Sequence, residues 1–195
     1  PVKQISFTTD NVDRQVAFWE RQVGVGPWTV FRGITLSMTY EGKPIALPVN
    51  VALAMHGDVL IELMQVMGNG PSPFHDALNR PIIGLQRLAS VSDRIEADMD
   101  AAVARGMEKF AEGMDATGQR YAYFRSTAAP GIILELLENV PLFADFTTRL
   151  EARAPAYQAA TIEPARATAS RLLAPRKMRA ALLDGYGPAD LFRIA

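Results

Sequence analysis

Two segments of the sequence each place one glutamate at the centre of an apolar run. They read LIELMQ at residues 60–65 and ILELLE at residues 133–138, and the glutamates are Glu62 and Glu135. A carboxylate buried in a strand is costly in free energy unless it is paired or coordinated. Because the same costly feature occurs twice, at matching positions, the sequence indicates an internal repeat.

The segments before each glutamate repeat the same order of elements. Residues 3–13 and 86–96 both give a strand-like run followed by an aspartate, Asp10 or Asp93, in the position of a helix N-cap. Apolar residues at helical spacing come next, and a glycine marks the end of each helix. Three further strand-like runs complete each half, at 27–32, 49–55 and 59–66 and at 107–114, 120–126 and 132–138. The order βαβββ therefore occurs twice.

The repeat sets the expected organisation of the chain. Its parts are a first βαβββ module at residues 2–67, a connection at 68–84, a second module at 85–140 and a helical C-terminal extension at 141–195. Because each module combines one helix with four strands, the expected fold class is α+β.

Three segments outside the repeated strands carry further expectations. Residues 34–48 contain Gly, Pro and polar side chains, so they are expected to form an insertion loop over the mouth of a site. A short helix is expected near residues 72–79. The extension is expected to be helical near 141–154 and 164–183, with an apolar stripe that must be buried on the outside of the sheet or on a second subunit.

Composition excludes several classes of partner and chemistry. The net charge of the 195 residues is −1, which gives no general attraction to nucleic acid or to an anionic membrane. The chain contains no cysteine, so disulfides and thiolate metal sites are absent, and a cytoplasmic location is expected. No apolar run approaches the roughly 20 residues of a membrane span. These exclusions leave a small molecule as the expected partner.

The order and spacing of several segments resemble those of the vicinal oxygen chelate superfamily, which includes glyoxalases, bleomycin-resistance proteins and extradiol dioxygenases. The similarity covers about residues 2–140. It rests on QISFTTDNVDRQVAFWERQVGVGPW at the start, IELMQ, GPSPF and GLQRLASVSD in the middle, and RYAYFRSTAAPGIILELLE at the end. The resemblance implies that the tandem modules form one cupped mixed sheet that encloses a cup. In relatives, four side chains from the first and last strands of the modules usually hold a divalent metal ion at its base. The resemblance also implies a homodimer, because relatives commonly pair through their modules.

The positions that correspond to these metal ligands hold Gln4, Glu62, Arg87 and Glu135. Relatives usually carry histidine in the first strand of each module, where this sequence has Gln4 and Arg87. A guanidinium stays protonated and has no lone pair to offer, so Arg87 cannot bind a metal. We therefore expect a site without metal or other cofactor, in which Arg87 replaces the cation and neutralises both glutamates.

The residues alone leave the roles of these four side chains open. Either Glu62 or Glu135 could act as a general base in an apolar cup, or both could persist only because Arg87 balances their charge. Arg87 is either a structural counterion or an anchor for a substrate carboxylate, enolate or phenolate. Gln4 is a polar partner for these groups and a candidate substrate contact.

Large apolar and aromatic side chains beside the strands predict a mostly apolar ligand. Strand alternation places one of two sets of side chains in the cup, either Tyr121 and Tyr123 or Arg120, Ala122 and Phe124. We favour the tyrosines. Met64 and Trp28 are further candidate substrate contacts. His75 follows GPSPF, a segment that lies near the cup in relatives, and it is either a ligand contact or an exposed helix residue.

Two classes of function fit this pattern. The first is a metal-independent isomerase or lyase that transfers a proton next to a carbonyl of a hydrophobic small molecule, with Glu62 or Glu135 as base and Arg87 as stabiliser of the enolate. The second is a non-catalytic protein that binds and sequesters such a compound. A metal-dependent lyase or dioxygenase is the third and weakest interpretation.

Overall fold

The structure is a computed structural model that describes residues 1–157 and residue 160, and residues 1–157 lie within one compact unit. The expected α+β fold is confirmed, because two βαβββ modules follow one another and form one curved sheet. The helix expected near residues 164–183 lies outside the described residues. Among the described helices, none is both long and apolar enough to cross a membrane.

The elements of the two modules are equivalent one by one. In the first module they are β1 (Gln4–Thr8), α1 (Val12–Phe18) with a π-helical turn (Trp19–Val23), β2 (Thr29–Tyr40), β3 (Lys43–His56) and β4 (Val59–Val66). In the second they are β5 (Gly84–Ser92), α2 (Ile95–Ala104), β6 (Glu108–Met114), β7 (Arg120–Arg125) and β8 (Ile133–Glu138), followed by α3 (Pro141–Tyr157).

The eight strands close into one sheet in the order β1-β4-β3-β2-β6-β7-β8-β5. Within each module the first strand lies parallel to the last, as β1 with β4 and β5 with β8. The modules meet along two antiparallel seams, β1 with β5 and β2 with β6. The first and last strands of both modules are therefore neighbours at the centre of the sheet, which brings the corresponding positions of the repeat together.

The helix starts differ from the sequence prediction by one residue. Asn11, not Asp10, caps α1, and its side chain accepts a hydrogen bond from the backbone N–H of Arg14. Asp10 instead forms an ion pair with the guanidinium of Arg14. Helix α2 begins after Arg94, where no side chain caps the helix, so the expected capping by Asp93 was wrong. Asp10 and Asn11 both suit an N-cap, so spacing alone did not separate them.

The segment at residues 34–48 is a hairpin and not the expected insertion loop. Strands β2 and β3 stay paired from Ile34 opposite Val49 to Tyr40 opposite Lys43, and a tight turn at Glu41 and Gly42 joins them. Gly42 and the two prolines suggested a loop, but a hairpin tolerates a glycine in its turn and prolines at solvent-exposed positions. The hairpin also supplies the strand that pairs with β6 and closes the sheet.

The connection between the modules contains no helix at residues 72–79. It forms turns instead, with an isolated bridge between His75 and Pro81. The side chain of Asp76 accepts hydrogen bonds from the backbone N–H groups of Leu78 and Arg80. These contacts stabilise a turn, because they satisfy the backbone groups that a helix would have paired internally.

Alternation along β4 separates the two faces of the sheet. The side chains of Leu60 and Met64 face the concave side, whereas Ile61 and Leu63 pack on the convex side under the first helix. Both faces of the strand are buried, which explains why its sequence is apolar throughout. A side chain at position 62 therefore projects into the concave interior.

Helix α3 packs on the concave side and not on the outside of the sheet. Its residues Leu150 and Ala154 are buried against Met55 and Leu60. A tilted contact between the rings of Phe146 and Phe31 of β2 adds to this packing, with ring centroids 6.0 Å apart. The apolar stripe predicted for the extension thus finds its partner within the same chain over residues 141–157.

Candidate active site

The concave side of the sheet encloses a cavity of about 700 Å³. Strands of both modules line it, and α3 covers part of it through Leu142, Phe143 and Phe146. Most of its wall consists of aliphatic and aromatic side chains. The polar and charged groups that reach the wall from the central strands are Gln4, Glu62, Arg87, Tyr121, Tyr123 and Glu135.

Arg87 lies between the two glutamates and binds both. Its Nε donates to Glu135 Oε2 over 2.8 Å, and its Nη2 donates to Glu62 Oε1 over 2.5 Å. The fractional exposures of these residues are 4% for Arg87, 7% for Glu62 and 4% for Glu135, so the three charges are shielded from bulk solvent. Two carboxylates sharing one guanidinium form a triad with a formal charge of −1 when all three groups are ionised.

Gln4 and Gln86 extend the triad on both sides. The Nε2 of Gln4 donates to Glu62 Oε2 over 2.7 Å and to the Oγ of Ser6 over 3.0 Å. On the other side, Nη1 of Arg87 donates to the Oε1 of Gln86 over 3.1 Å. Gln86 is held in turn by the backbone carbonyl of Pro73, to which its Nε2 donates. The guanidinium is therefore fixed in position by neutral partners as well as charged ones.

The pairing of the central strands explains why these side chains meet. Ser6 on β1 lies opposite Glu62 on one side and opposite Arg87 on the other. Glu135 on β8 lies next to Ala89, two residues from Arg87 on the parallel strand β5. Because side chains two residues apart share a face of a strand, all of these positions point into the concave interior.

Burial raises the pKa of Glu135 from 4.5 to about 7. Burial is the largest cause, and the negative charge of Glu62 acts in the same direction, whereas the positive charge of Arg87 lowers the pKa. The pKa of Arg87 moves well above its usual range, because the two carboxylates outweigh the effect of burial. The site thus combines a permanent cation with a carboxyl group that changes charge near neutral pH.

The two glutamates differ in how their oxygens are used. Both oxygens of Glu62 accept hydrogen bonds, one from Arg87 and one from Gln4. Glu135 accepts through Oε2 only, and no described residue donates to its Oε1. Among the described residues, Thr8 Oγ1 is the one side-chain polar atom that is both fully buried and without a hydrogen-bond partner. Oε1 of Glu135 has no partner but is not fully buried, so it keeps contact with the cavity that Glu135 lines.

Aromatic rings support the guanidinium from the sides. The Cζ of Arg87 lies 5.4 Å from the ring centroid of Tyr123 and 5.5 Å from that of Phe74. Cation–π contacts of this kind stabilise a buried guanidinium that has been removed from water. Burial raises the pKa of Tyr123 well above its usual value, so its hydroxyl stays protonated at neutral pH.

The structure brings most of the sequence-predicted site residues to the cavity wall. Gln4, Met64, Tyr121 and Tyr123 line it together with the triad. The favoured strand parity is therefore the observed one, because the two tyrosines of β7 face inward.

Two predicted contacts lie elsewhere. Trp28 packs on the convex side against Trp19 and Ile61, and its indole N–H donates to the backbone carbonyl of Val25. Trp28 comes before β2 begins, so strand parity did not determine its direction.

His75 is buried in the connection between the modules. It shares hydrogen bonds with the Oγ of Ser72 over 2.6 Å and with the backbone carbonyl of Gly68 over 3.1 Å. Both ring nitrogens are thus occupied within the connection, and the residue does not line the cavity. This arrangement is neither of the two predicted for His75, because it is not an exposed helix residue either.

The sequence interpretation missed the contribution of α3. Leu142, Phe143 and Phe146 form part of the cavity wall, but the sequence showed only an apolar stripe without a partner. Only two residues, Asn139 and Val140, link β8 to α3. A linker this short keeps the helix close to the end of β8, and it was the feature of the sequence that could have indicated its position.

The donor set at the base of the cavity does not fit a divalent metal ion. Two carboxylates and one amide could offer oxygen ligands, but the fourth position is filled by the cationic Arg87, whose N–H groups already bind both carboxylates. A guanidinium at this distance repels a divalent cation and occupies its place. The described residues also contain no cluster of three or more His, Asp or Glu side chains placed to hold a metal.

Two solved structures share this fold at low sequence identity. A hypothetical protein, BH1468, from Bacillus halodurans C-125 matches with a TM-score of 0.53 and 17% identity, covering 72% of this chain and 94% of its own. Methylmalonyl-CoA epimerase from Mycobacterium tuberculosis matches with a TM-score of 0.50 and 15% identity, covering 74% of this chain and 91% of its own. No curated protein matches the sequence closely enough to serve as a relative.

A family model identifies the sequence over most of the two modules. The model describes the Glyoxalase/Bleomycin resistance protein/Dioxygenase superfamily, and it matches residues 3–124. This range includes β1 to β6 and most of β7. The chain therefore belongs to the glyoxalase, bleomycin-resistance and dioxygenase superfamily.

Proposed function

We propose that this protein is a metal-independent isomerase or lyase that moves a proton next to the carbonyl group of a largely apolar small molecule. The observation that carries the proposal is the buried triad of Glu62, Arg87 and Glu135 at the base of an apolar cavity. Arg87 supplies the positive charge that a metal ion supplies in most relatives. No other cofactor is needed for this chemistry.

Glu135 is the better candidate for the base. None of the described residues donates a hydrogen bond to its Oε1, which faces the cavity, whereas both oxygens of Glu62 accept hydrogen bonds. Its pKa of about 7 also suits the role, because a general base is most effective when its pKa lies near the working pH. Glu62 then acts as a fixed counter-charge that holds Arg87 in position.

The reaction needs only these side chains and the substrate. Oε1 of Glu135 takes a proton from the carbon next to the carbonyl, and the electron pair of that C–H bond forms a carbon–carbon double bond. The carbonyl π electrons move to the oxygen, which becomes an enolate. Arg87 stabilises this negative charge, because a guanidinium has five N–H donors and only three are used in the bonds described above. Glu135 then returns the proton to another position on the same face of the enolate, which completes the isomerisation.

The cavity wall supports a substrate that is mostly apolar. Met64 and Tyr121 line the interior, α3 adds Phe143 and Phe146, and Gln4 provides a polar contact near the triad. Removing water from such a cavity strengthens the electrostatic interactions inside it. A structural neighbour with the same fold is an epimerase, which shows that the fold can house an isomerase reaction.

The second candidate function is non-catalytic binding of an apolar compound. The observation in its favour is that the triad is already satisfied within the protein, so it could serve only to stabilise the base of the cavity. An apolar cavity of this volume is adequate for sequestering a small molecule.

Deuterium exchange distinguishes these two functions. The protein is incubated in D₂O with uncharged enolisable carbonyl compounds, such as 1-phenyl-2-propanone and 2-methylcyclohexanone, and exchange next to the carbonyl is followed by NMR. An enzyme accelerates exchange, and Glu135→Gln reduces the rate by a factor of about 10² to 10⁴ while ligand binding persists. The matched control, Glu62→Gln, keeps a larger share of the activity. Binding without any exchange across the panel would support the sequestration function instead.

We also propose that the protein works as a homodimer. Exposed apolar side chains occur close together in sequence in the connection and at the start of β5, at Leu78, Ile82, Ile83 and Leu85. Apolar side chains exposed in one region are typical of an interaction surface. Sedimentation of the intact protein tests this proposal, and a monomer at micromolar concentration would contradict it.

A further inference from the structure

The hydroxyl of Tyr123 is in a different situation from that of its neighbour Tyr121. Tyr121 donates its hydroxyl to the backbone carbonyl of Ser37 over 2.9 Å, which ties β7 to the β2 strand. The hydroxyl of Tyr123 makes no hydrogen bond with any described residue, although its side chain is only 1% exposed. Among the described residues, the hydroxyl oxygen of Tyr123 is not one of the fully buried atoms without a partner. The small exposed area of Tyr123 therefore includes its hydroxyl, which opens into the cavity that the residue lines.

Tyr123 is also placed directly beside the proposed base. It lies opposite Glu135 in the antiparallel pair β7 and β8, and both side chains face inward. Side chains at directly opposite positions have their Cβ atoms roughly 4.5–5.5 Å apart. Its ring also flanks the guanidinium of Arg87, with 5.4 Å between the ring centroid and Cζ. A donor, a base and a cation thus converge on the same part of the cavity.

We propose that the hydroxyl of Tyr123 donates a hydrogen bond to the carbonyl oxygen of the substrate and holds that oxygen as it becomes an enolate. This inference rests on the proposed proton-transfer function and adds a catalytic residue to it. The ligand class follows from the three groups: a carbonyl oxygen that accepts from Tyr123 and Arg87, attached to a carbon whose proton can reach Oε1 of Glu135.

Tyr123, Arg87 and Glu135 have separate roles in this arrangement. The raised pKa of Tyr123 keeps its proton in place, so the phenol acts as a hydrogen-bond donor and does not transfer the proton. Arg87 adds positive charge, but two of its N–H groups are committed to Glu62 and Glu135. A neutral donor beside it therefore gives the developing oxyanion a partner that the carboxylates do not share.

The two tyrosines give a matched pair of variants. Tyr123→Phe removes the free hydroxyl and keeps the ring that contacts Arg87, whereas Tyr121→Phe removes a hydroxyl that is used within the protein. Binding of 4-nitrophenol, measured by its absorbance, serves as a readout that does not need turnover, because its phenol oxygen resembles an enol oxygen. Tyr123→Phe should weaken this binding about tenfold, as expected for the loss of one hydrogen bond. Tyr121→Phe also changes the cavity wall, but its hydroxyl is bound to Ser37, so it should weaken the binding by a clearly smaller factor.

The same variants are then tested for deuterium exchange into 1-phenyl-2-propanone. Tyr123→Phe should lower the exchange rate constant at saturation by at least tenfold, with thermal stability within a few degrees of the unmodified protein. If the unmodified protein exchanges but Tyr123→Phe binds and exchanges as well as Tyr121→Phe, the role of Tyr123 is wrong and the proton-transfer function stands. If the unmodified protein binds 4-nitrophenol but catalyses no exchange, the proposed function itself fails.

Discussion

Arg87 and Glu135 face one another from the adjacent parallel strands β5 and β8, with 2.8 Å between the guanidinium Nε and the carboxylate Oε2. Glu62 binds the other edge of the same guanidinium. A single cation is thus shared by two buried carboxylates at the position where most relatives in the family hold a metal ion. The predictions below test this arrangement, its charge and its support.

The raised pKa of Glu135 makes stability depend on pH. The pKa is about 7 in the folded protein against 4.5 for the free side chain, so between these values the folded state binds more protons than the unfolded state. Stability should therefore be highest towards the lower end of this window and should fall as the pH rises from about 4.5 to about 7. Urea unfolding at several pH values measures the trend. Glu135→Gln should remove this part of the pH dependence, and an unchanged slope in the variant would show that another group causes it.

Activity should show the opposite trend over the same range. Only the ionised carboxylate of Glu135 can accept a proton, so the rate constant for deuterium exchange should rise with pH and level off above about 7. The measurement is the pH profile of exchange under conditions of excess carbonyl compound. A rate that is flat between pH 5 and 8 would contradict the assignment of Glu135 as the base.

Removing the cation should destabilise the protein strongly. Arg87→Met leaves Glu62 and Glu135 buried without a counter-charge, and breaking a buried ion pair in this way typically lowers the free energy of unfolding by about 3–5 kcal/mol. Replacing all three residues, as Arg87→Met with Glu62→Gln and Glu135→Gln, should restore much of the loss because no uncompensated charge remains. If the triple variant unfolded as readily as Arg87→Met, charge balance would not explain the effect.

Helix α3 should contribute to stability through its buried face. Leu150 is 4% exposed and packs against Met55 and Leu60, so Leu150→Ala should lower the free energy of unfolding by about 2–5 kcal/mol. Arg149→Ala changes the neighbouring exposed residue and serves as the control, with an expected change below about 0.5 kcal/mol. Equal unfolding midpoints for the two variants would show that this helix is only loosely attached.

The sequence predicted the repeat and the central site because both have strong local causes. A glutamate inside an apolar strand requires a partner, and Glu62 and Glu135 occur at matching positions of two βαβββ patterns, so their meeting with Arg87 followed from the topology. Strand alternation then placed Met64 correctly, because a period of two residues leaves only two possible faces.

Other features were not predictable, because tertiary contacts decide them. The hairpin at residues 34–48 looked like a loop from its glycine and prolines, yet pairing with β6 holds it in extended form. Trp28 lies outside a strand, where alternation gives no direction. The apolar stripe of α3 indicated burial but not the surface that receives it, since the concave and convex faces of the sheet are both apolar.

Restoring a metal ligand should convert the site. Arg87→His removes the repelling cation and adds an imidazole beside Gln4, Glu62 and Glu135, which gives a donor set that suits Zn²⁺ or Ni²⁺. Calorimetric titration of the variant with either metal should show binding near one ion per chain. Arg87→Lys keeps a cation at this position and serves as the control that should bind none. Absence of binding by Arg87→His would show that more than the charge of Arg87 keeps a metal from the site.

The most direct test of the central claim is the metal content of the unmodified protein, purified without chelators and measured by elemental analysis. If Arg87 replaces the metal, transition metals should be present at well below one ion per chain, and added Zn²⁺ or Ni²⁺ should not change the melting temperature. The content should also be the same in Glu62→Gln. A stoichiometric transition metal that is lost in Glu62→Gln would contradict the account and make the protein a metal-dependent member of its superfamily.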